Sequence, residues 1–413
     1  MSAEDVRRAD AAADVQGSPV PGVKRPVFIL GIVSFLTDIS SEMVYPLVPL
    51  FLTSVLGAPV AAVGVIEGLA EGAASLFKTV GGWASDRMRV RRPLVFAGYV
   101  VSAAAKPLLA AAYVWPVALL VRFGDRTGKG IRTAPRDAMV ADVTPVEQRG
   151  RAFGFHRAAD SLGAVAGPAV ALGLLAAFAD NFRLIFILAS VPAVAGVALI
   201  AFVKERPPAA APADSAGSGW RGMPAGFYVF LAISLVFALG NSSDVFLLLR
   251  AKDFGLGNSE VVLAYMLFNL VYAAVAMPAG IVSDRLGRRT VLGGGFAVFA
   301  GVYLGFALAR GGAAVWPLFA VYGLHMALTE GVARAFVADF VPSERRATAL
   351  GLYGGAMGAM ILLSSVLAGV LWDAVDPAAP FFLGGATALA ALVLLLALRP
   401  QPPTVEAPAA GRI

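Results

Sequence analysis

The stretch RFGDRTGKGIRTAPRD, from Arg122 to Asp137, places charged side chains inside a longer apolar run. At about 100° per residue on a helix, six of these side chains fall within an arc of roughly 120°. The six are Arg122, Asp125, Arg126, Lys129, Arg132 and Arg136. A charge that meets lipid near the bilayer centre costs from a few to about ten kcal/mol or more. The stripe therefore has to face protein or a wet cavity, where it could bind ions or polar solutes. The alternative is a cytosolic amphipathic helix.

Three other apolar stretches carry titratable side chains at helical spacing. They are Asp38 and Glu42 in FLTDISSEMVYP, Glu67, Glu71 and Lys78 in VIEGLAEGAASLFK, and His156 and Asp160 in GFHRAADSLG. Each set shares one face of its helix. Acids and bases occur in similar number, as a low dielectric requires, because an unpaired ion there is strongly unfavourable.

Three interpretations of these groups stay open. In the first, buried acids carry protons, since exposure to two aqueous phases in turn can change their protonation. The candidates are Asp38, Glu42, Glu67, Glu71, Asp125 and Asp160. In the second, the stripe and polar residues at similar depth bind an anionic or zwitterionic substrate. The candidates are Arg122, Arg126, Lys129, Tyr45, Tyr265, Asn269 and Glu330. In the third, the network only fixes the helices to one another.

The composition is that of a membrane protein. Hydrophobic residues make up 58% of the 413 residues, charged residues 15%, and the mean hydropathy is +0.77. A soluble domain of this length could not bury so much apolar surface, so we predict a polytopic membrane protein. The absence of cysteine excludes disulfides and thiolate metal sites. We find no nucleophile–base pair, phosphate loop or cofactor signature, and expect no enzyme activity, cofactor, metal or nucleic-acid partner.

Twelve apolar runs are long enough to cross about 30 Å of hydrocarbon as helices. They begin near Val27, Val60, Pro93, Val114, Arg151, Phe182, Ala225, Val261, Thr290, Ala314, Thr348 and Phe381. Basic residues concentrate in every second connection, which by the positive-inside rule places both termini in the cytoplasm. We expect a multi-pass protein of the cytoplasmic (inner) membrane of a bacterium. Its parts are a cytosolic tail (1–25), a six-helix bundle (26–203), a cytosolic linker (204–223), a second bundle (224–399) and a C-terminal tail (400–413).

An internal repeat relates the two predicted bundles. VADVTPVEQRGRAFGF, from Val140, matches VADFVPSERRATALGL, from Val337, and GWASDR, from Gly82, matches GIVSDR, from Gly280. The aspartates in these pairs are separated by 197 (339 − 142) and 198 (284 − 86) residues. Two independent matches at nearly one offset indicate a duplicated six-helix unit, which is typical of one transporter architecture.

The segment from Gly280 to Arg289, GIVSDRLGRR, resembles the cytosolic loop signature of the major facilitator superfamily without a departure. The first-half copy departs from it, with Arg89 where Gly is usual. The resemblance covers nearly the whole chain and implies an all-α membrane fold of twelve helices in two bundles, with a latch that holds the outward-facing state. The latch residues are Gly82, Asp86, Arg87, Gly280, Asp284, Arg285 and Arg288. Four further gate or latch candidates lie near the cytosolic end at repeat-related positions. They are Arg136, Asp142, Arg334 and Asp339.

Helix 5 carries Gly154, Gly163, Gly167 and Pro168, which is similar to the glycine–proline pattern of the superfamily's antiporters. Ordinary packing of small residues would give the same pattern. The resemblance implies a monomeric, proton-coupled secondary transporter that works by alternating access and exports a small polar, anionic or amphiphilic compound. Two alternatives stay open: a proton-coupled importer (symporter) of an organic anion, and a lysolipid or lipid transporter. The expected partners are the small-molecule substrate, protons and the lipid bilayer.

Overall fold

The computed structural model describes residue 20 and residues 23–88, 91–145, 148–203, 222–342 and 345–400. Most of the predicted tails and of the linker lie outside these ranges. Within them every regular element is helical, which confirms the all-α class.

Six helices form the first half. They are α1 (Arg25–Val44, continued by the single turns Tyr45–Leu47, Val48–Leu50 and Phe51–Val55), α2 (Val60–Met88), α3 (Arg92–Ala110), α4 (Trp115–Val143), α5 (Arg149–Ala177) and α6 (Phe182–Ile200). Six more form the second half. They are α7 (two segments, Ala225–Gly240 and Val245–Asp253), α8 (Asn258–Leu286), α9 (Arg288–Leu308), α10 (Val315–Asp339, after the short turn Gly312–Ala314), α11 (Arg346–Ala374) and α12 (Ala379–Leu398).

Eleven of these helices in the described chain are long and apolar enough to cross a membrane. The twelfth is α4, which has the same length as α2, 29 residues, but whose charged stripe lowers its hydropathy. All twelve helices begin within three residues of the predicted starts. The agreement follows from the length and continuity of the apolar runs, which are the strongest signals in a membrane sequence.

Local sequence explains several helix boundaries. Proline stands within the first two positions of α1, α3, α4 and α12, where its missing N–H leaves no partner unsatisfied. Before α6, the Asn181 side-chain oxygen accepts a hydrogen bond from the Leu184 N–H at 3.1 Å. Gly287 joins α8 to α9 with a φ of 88°, a left-handed conformation that favours glycine.

Two helices are interrupted at equivalent repeat positions, which the apolar pattern did not predict. The first segment of α7 ends 196 residues after the first segment of α1 (240 − 44). Backbone groups freed inside a membrane need partners, and α11 supplies them for α7. The Ser364 hydroxyl donates to the Asn241 carbonyl at 3.2 Å, and the Ser365 hydroxyl accepts from the Ser243 N–H at 3.1 Å.

The two halves meet closely along α2 and α11, where small residues let the backbones approach. A Cβ atom at Gly64 would lie 2.3 Å from the Ser365 carbonyl oxygen, and one at Gly369 would lie 2.8 Å from the Ala61 Cα. Asp373, at the end of α11, accepts hydrogen bonds from the first two N–H groups of α2 at 3.3 and 2.7 Å. This carboxylate caps α2 from the other half and closes that end of the interface.

Candidate functional site

The charged stripe of α4 lies against α2, where it forms a buried ion pair. Arg122 donates from Nε and Nη2 to the Glu67 carboxylate at 2.8–3.0 Å, and Glu67 has 0% exposed surface. Arg122 also lies 3.6 Å from Asp125, one turn along α4. A bidentate pair is fixed in geometry as well as compensated in charge. This placement favours the structural interpretation for Glu67 and Arg122, whose roles in proton coupling and substrate binding stay predictions.

Arg126, one turn further along the stripe, keeps part of its guanidinium free. Its Nη2 lies 3.0 Å from the Glu71 carboxylate, and its charge centre lies 5.6 Å from the ring centroid of Tyr45. Within the described chain, the buried Nε of Arg126 has no hydrogen-bond partner. A buried donor without an acceptor is unfavourable, so this site can take an anionic oxygen from a bound molecule.

Lys129 continues the stripe and is exposed. It makes no ion pair with the residues that the structure describes, but it interacts electrostatically with Asp38 on α1 and Glu71 on α2. Lys129 therefore interacts with two acids without forming a close ion pair with either, and its ammonium group stays available to bind a solute.

A lysine on α3, which was not predicted, balances the charge of Asp125. Lys106 Nζ lies 3.3 Å from Asp125 Oδ1 and donates to the Ser102 carbonyl at 2.8 Å. Asp125 thereby lies between Lys106 and Arg122. The available signal was a lone lysine in the apolar stretch AAAKPLLA, since a cation in the membrane has to face a partner or water.

The last two cations of the stripe turn toward other helices of the first half. The charge centre of Arg132 lies 4.4 Å from the ring centroid of Tyr99 on α3. Arg136 donates to the Ser34 hydroxyl of α1 at 3.0 Å and to its neighbour Asp137. Both side chains are thus held within one half in this state.

Glu42 on α1 links the two halves. Its carboxylate accepts a hydrogen bond from the Tyr265 hydroxyl of α8 at 2.7 Å, and the rings of Tyr45 and Tyr265 are 5.6 Å apart. Asn269 instead donates to the Tyr265 carbonyl at 3.0 Å, within its own helix. Tyr45 and Tyr265 therefore lie together beside Arg126, whereas the Asn269 amide is used within α8.

The helix 5 pattern brings α5 against α1 beside the acids of α1. A Cβ atom at Gly163 would lie 2.8 Å from the Cβ of Asp38, and one at Gly167 would lie 2.6 Å from the Cβ of Glu42. The two glycines therefore set how closely α5 approaches these acids.

Elsewhere on α5, a Cβ at Gly154 would meet open space, and the helix continues through Pro168. His156 Nδ1 lies 3.5 Å from Asp160 Oδ2. His156 Nε2 and Asp160 Oδ1 are buried and have no hydrogen-bond partner in the described part of the chain. The histidine and the predicted proton carrier Asp160 thus form one local pair.

The polar residues of the second half gather around α10. Glu330 accepts hydrogen bonds from the Tyr272 hydroxyl and from Arg334 Nη2, both at 2.8 Å. Glu330 and Arg334, predicted for substrate binding and gating, therefore form one cluster. Closer to the helix break, Asp244 accepts a hydrogen bond from the Tyr322 hydroxyl at 2.6 Å.

An ion pair between a loop and a helix end recurs in both halves. Arg91 lies 2.7 Å from Asp142, and Arg288 binds Asp339 and lies 3.3 Å from Asp284. The arginine and the aspartate of the second-half pair each lie 197 residues after their counterparts in the first half (288 − 91 and 339 − 142). Arg91 belongs to the first-half copy of the loop signature that resembles a latch, and the repeat offset relates it to Arg288.

Two other predicted latch residues, Arg87 and Arg285, have no ion pair with the residues that the structure describes. Arg87 lies 5.7 Å from a neighbouring tryptophan ring, and Arg285 is exposed. A Cβ at Gly82 would meet α4 at 3.2 Å, whereas one at Gly280 would meet open space. The side chain of Asp86 lies outside the described residues.

A small cavity that is partly open to solvent lies between α1, α3 and α4. Its charged and aromatic lining comprises Glu42, Tyr45, Lys106, Arg122, Asp125 and Arg126. Compensated charges around a cavity in a helical bundle can hold a polar solute away from lipid. The fold and this cavity together define a membrane transporter of solutes.

Comparison with known proteins agrees with this class. The sequence signature of the Major Facilitator Superfamily matches residues 30–249 and 229–412. An uncharacterized MFS-type transporter of Methanocaldococcus jannaschii is 36% identical over 380 residues, which cover 91% of this chain and 95% of the relative. The chain therefore belongs to the Major Facilitator Superfamily, whose members are transporters and not enzymes.

Solved structures show the same fold at low sequence identity. The peptide transporter POT in complex with sulfate has a TM-score of 0.77 and 17% identity, covering 95% of this chain and 98% of its own. The nucleoside transporter NupG has a TM-score of 0.77 and 12% identity, covering 91% of this chain and 100% of its own. These likenesses establish the fold of the twelve helices.

Proposed function

We propose that the chain is a proton-coupled symporter that carries a small organic anion or zwitterion into the cell. The observation that supports this is the free donor capacity of two neighbouring cations on α4. Arg126 has one ion-pair partner and a buried Nε without an acceptor in the described chain, and Lys129 is exposed. Together they can bind a carboxylate or a similar anionic group.

The acids beside these cations explain why a proton would travel with the anion. Lys129 interacts with Asp38 and Glu71, and Arg126 pairs with Glu71. A proton on either acid removes a negative charge from the site, so an anion binds more strongly. By reciprocity, a bound anion strengthens proton binding by the same factor. Such joint binding is what symport requires.

Export by proton antiport is the second candidate, because Gly163 and Gly167 pack α5 onto α1 in a pattern similar to that of antiporters. In an antiporter the substrate and the proton exclude each other. A cationic or amphiphilic compound that binds Asp38 or Glu42 would meet this requirement, whereas an anion at Lys129 would not.

The orientation belongs to the same proposal. With both termini in the cytoplasm, the end of the α2–α11 interface that Asp373 closes is the outer end. The exposed Lys129 and the partly exposed Glu330 then face the cytoplasm, so the state is inward-facing. We propose that the protein works as a monomer in the cytoplasmic membrane.

Proton movement in proteoliposomes tests the function. The full chain is reconstituted with a pH dye in the lumen, and pools of carboxylates, zwitterionic metabolites and drugs are added outside. Lumenal acidification on addition supports symport, and splitting the active pool identifies the substrate. Alkalinisation under an acidic lumen supports antiport, and the absence of any pH change contradicts proton coupling.

Two lysine variants test the proposed site. Lys129→Gln should raise the KM of the active compound about tenfold or more, since a charge-assisted hydrogen bond contributes roughly 1.5–3 kcal/mol. Lys78→Gln on α2 is the matched control, because Lys78 is also exposed but lies two turns from Glu71. An equal KM in Lys129→Gln and the control removes Lys129 from the site.

A further inference from the structure

Asp244 lies in the interruption of α7, between Gly240 and Val245. Its Oδ1 accepts a hydrogen bond from the Tyr322 hydroxyl at 2.6 Å. Its Oδ2 makes no hydrogen bond with the described residues, and the side chain is partly exposed. One carboxylate oxygen is therefore fixed by Tyr322, and the other has no hydrogen-bond partner in the described chain.

Asp244 lacks the cation partner that four other intramembrane acids have. Glu67, Glu71, Asp125 and Glu330 each have an arginine or lysine partner within 4 Å. In the described chain, Asp244 has no such partner. The ionisable groups that act on it are Glu42 and Tyr45 from α1, Glu71 from α2, Tyr265 from α8, Tyr303 from α9, and Tyr322 and Glu330 from α10.

A second observation points to a bound species at the same place. The Tyr303 hydroxyl is buried and interacts with Asp244 and with the Ser242 side chain at the helix break, but it makes no hydrogen bond of regular geometry with the described residues. A buried hydroxyl without a partner is unfavourable, so the pocket is incomplete in this state. The ionisable groups named above as acting on Asp244 are all acids or tyrosines.

We propose that Asp244 is a second proton-binding group of the transport cycle, located in the second half. The proton would come from water on the acidic side, form an O–H bond at Oδ2 and return to water on the other side. While bound, it removes a negative charge that no neighbouring cation compensates. This inference rests on the proposed proton coupling and adds one proton to those carried by the first half.

Infrared spectroscopy of the purified full chain tests the proton site without a substrate. A protonated carboxylic acid gives a C=O stretch that a carboxylate lacks, and Asp244→Asn should remove one such band from the pH-difference spectrum. Asp253→Asn, at the far end of the same helix, is the matched control. An unchanged band in Asp244→Asn overturns the proposal. A band that responds to Na⁺ at constant pH also overturns it, in favour of a metal-cation site.

Transport separates this inference from the proposed function. For a gradient of one pH unit, loss of one coupled proton should lower steady-state accumulation of the active compound about tenfold. The rate at which Asp244→Asn exchanges labelled for unlabelled compound in the absence of a pH gradient should stay within about twofold of the wild-type rate. Equal accumulation by Asp244→Asn and wild type overturns the inference alone. No accumulation by the wild type contradicts the proposed function itself.

Discussion

The buried pair of Glu67 and Arg122 should respond unequally to loss of each partner. Arg122→Met leaves the Glu67 carboxylate, which has 0% exposure, without another cation within 4 Å in the described chain. Breaking a buried ion pair in this way costs about 3–5 kcal/mol. Glu67→Leu is expected to cost less, because Arg122 keeps Asp125 at 3.6 Å.

The double variant Glu67→Leu/Arg122→Met should recover most of the lost stability. Two apolar side chains of similar volume can replace a buried ion pair with little net change, since the desolvation of both charges disappears together. The loss in Arg122→Met therefore reflects an uncompensated charge more than a lost contact. A coupling free energy of about 1–3 kcal/mol between the two positions is expected.

Thermal unfolding in detergent measures these differences. Tryptophan fluorescence suits the chain, which has five tryptophans and no cysteine for thiol-reactive dyes. At about 2–4 °C per kcal/mol, the Tm of Arg122→Met should fall by roughly 10 °C. The control is Arg285→Gln, because Arg285 is exposed and has no ion pair in the described chain. The reasoning is refuted if the Tm of Arg122→Met falls no further than that of Arg285→Gln. It is also refuted if the double variant loses as much stability as the two single variants added together.

Three further perturbations have direct readouts. Arg126→Ala should abolish transport while leaving the size-exclusion profile unchanged, and transport near the wild-type rate would remove Arg126 from the site. Gly64→Val should lower the Tm by overpacking worth about 1–3 kcal/mol, because its Cβ would lie 2.3 Å from a carbonyl oxygen. Gly72→Ala, whose Cβ would find its nearest neighbour at 3.7 Å, should be tolerated, and equal losses would contradict the packing. Asp373→Ala removes a helix cap of α2 worth about 1 kcal/mol, so this end of the α2–α11 interface should open more often. A cysteine introduced at Ser365, which lies in that interface, should then react faster with an external thiol reagent. An unchanged labelling rate would show that the cap does not hold this end closed.

The sequence determined the twelve helices, the duplicated unit and the location of charges in membrane helices. Apolar runs long enough to span a bilayer have little alternative to the helix, because backbone groups in lipid need internal partners. The stripe of α4 was visible for a related reason, since its charges repeat at helical spacing. Among the twelve described helices, α4 alone is too polar to be recognised by its hydropathy as membrane-spanning, yet it begins within one residue of the start predicted from the sequence.

The pairing of these charges followed only from the tertiary structure. Glu67 and Arg122 are 55 residues apart, Glu42 and Tyr265 are 223 apart, and Asp373 is 312 residues from the N–H group it binds most closely. The break in α7 likewise depends on partners from another helix, the serines of α11. Helical periodicity states which residues share a face, but it does not state which faces meet. Packing of the whole chain therefore decides which carboxylates have a cation beside them and which, like Asp244, do not.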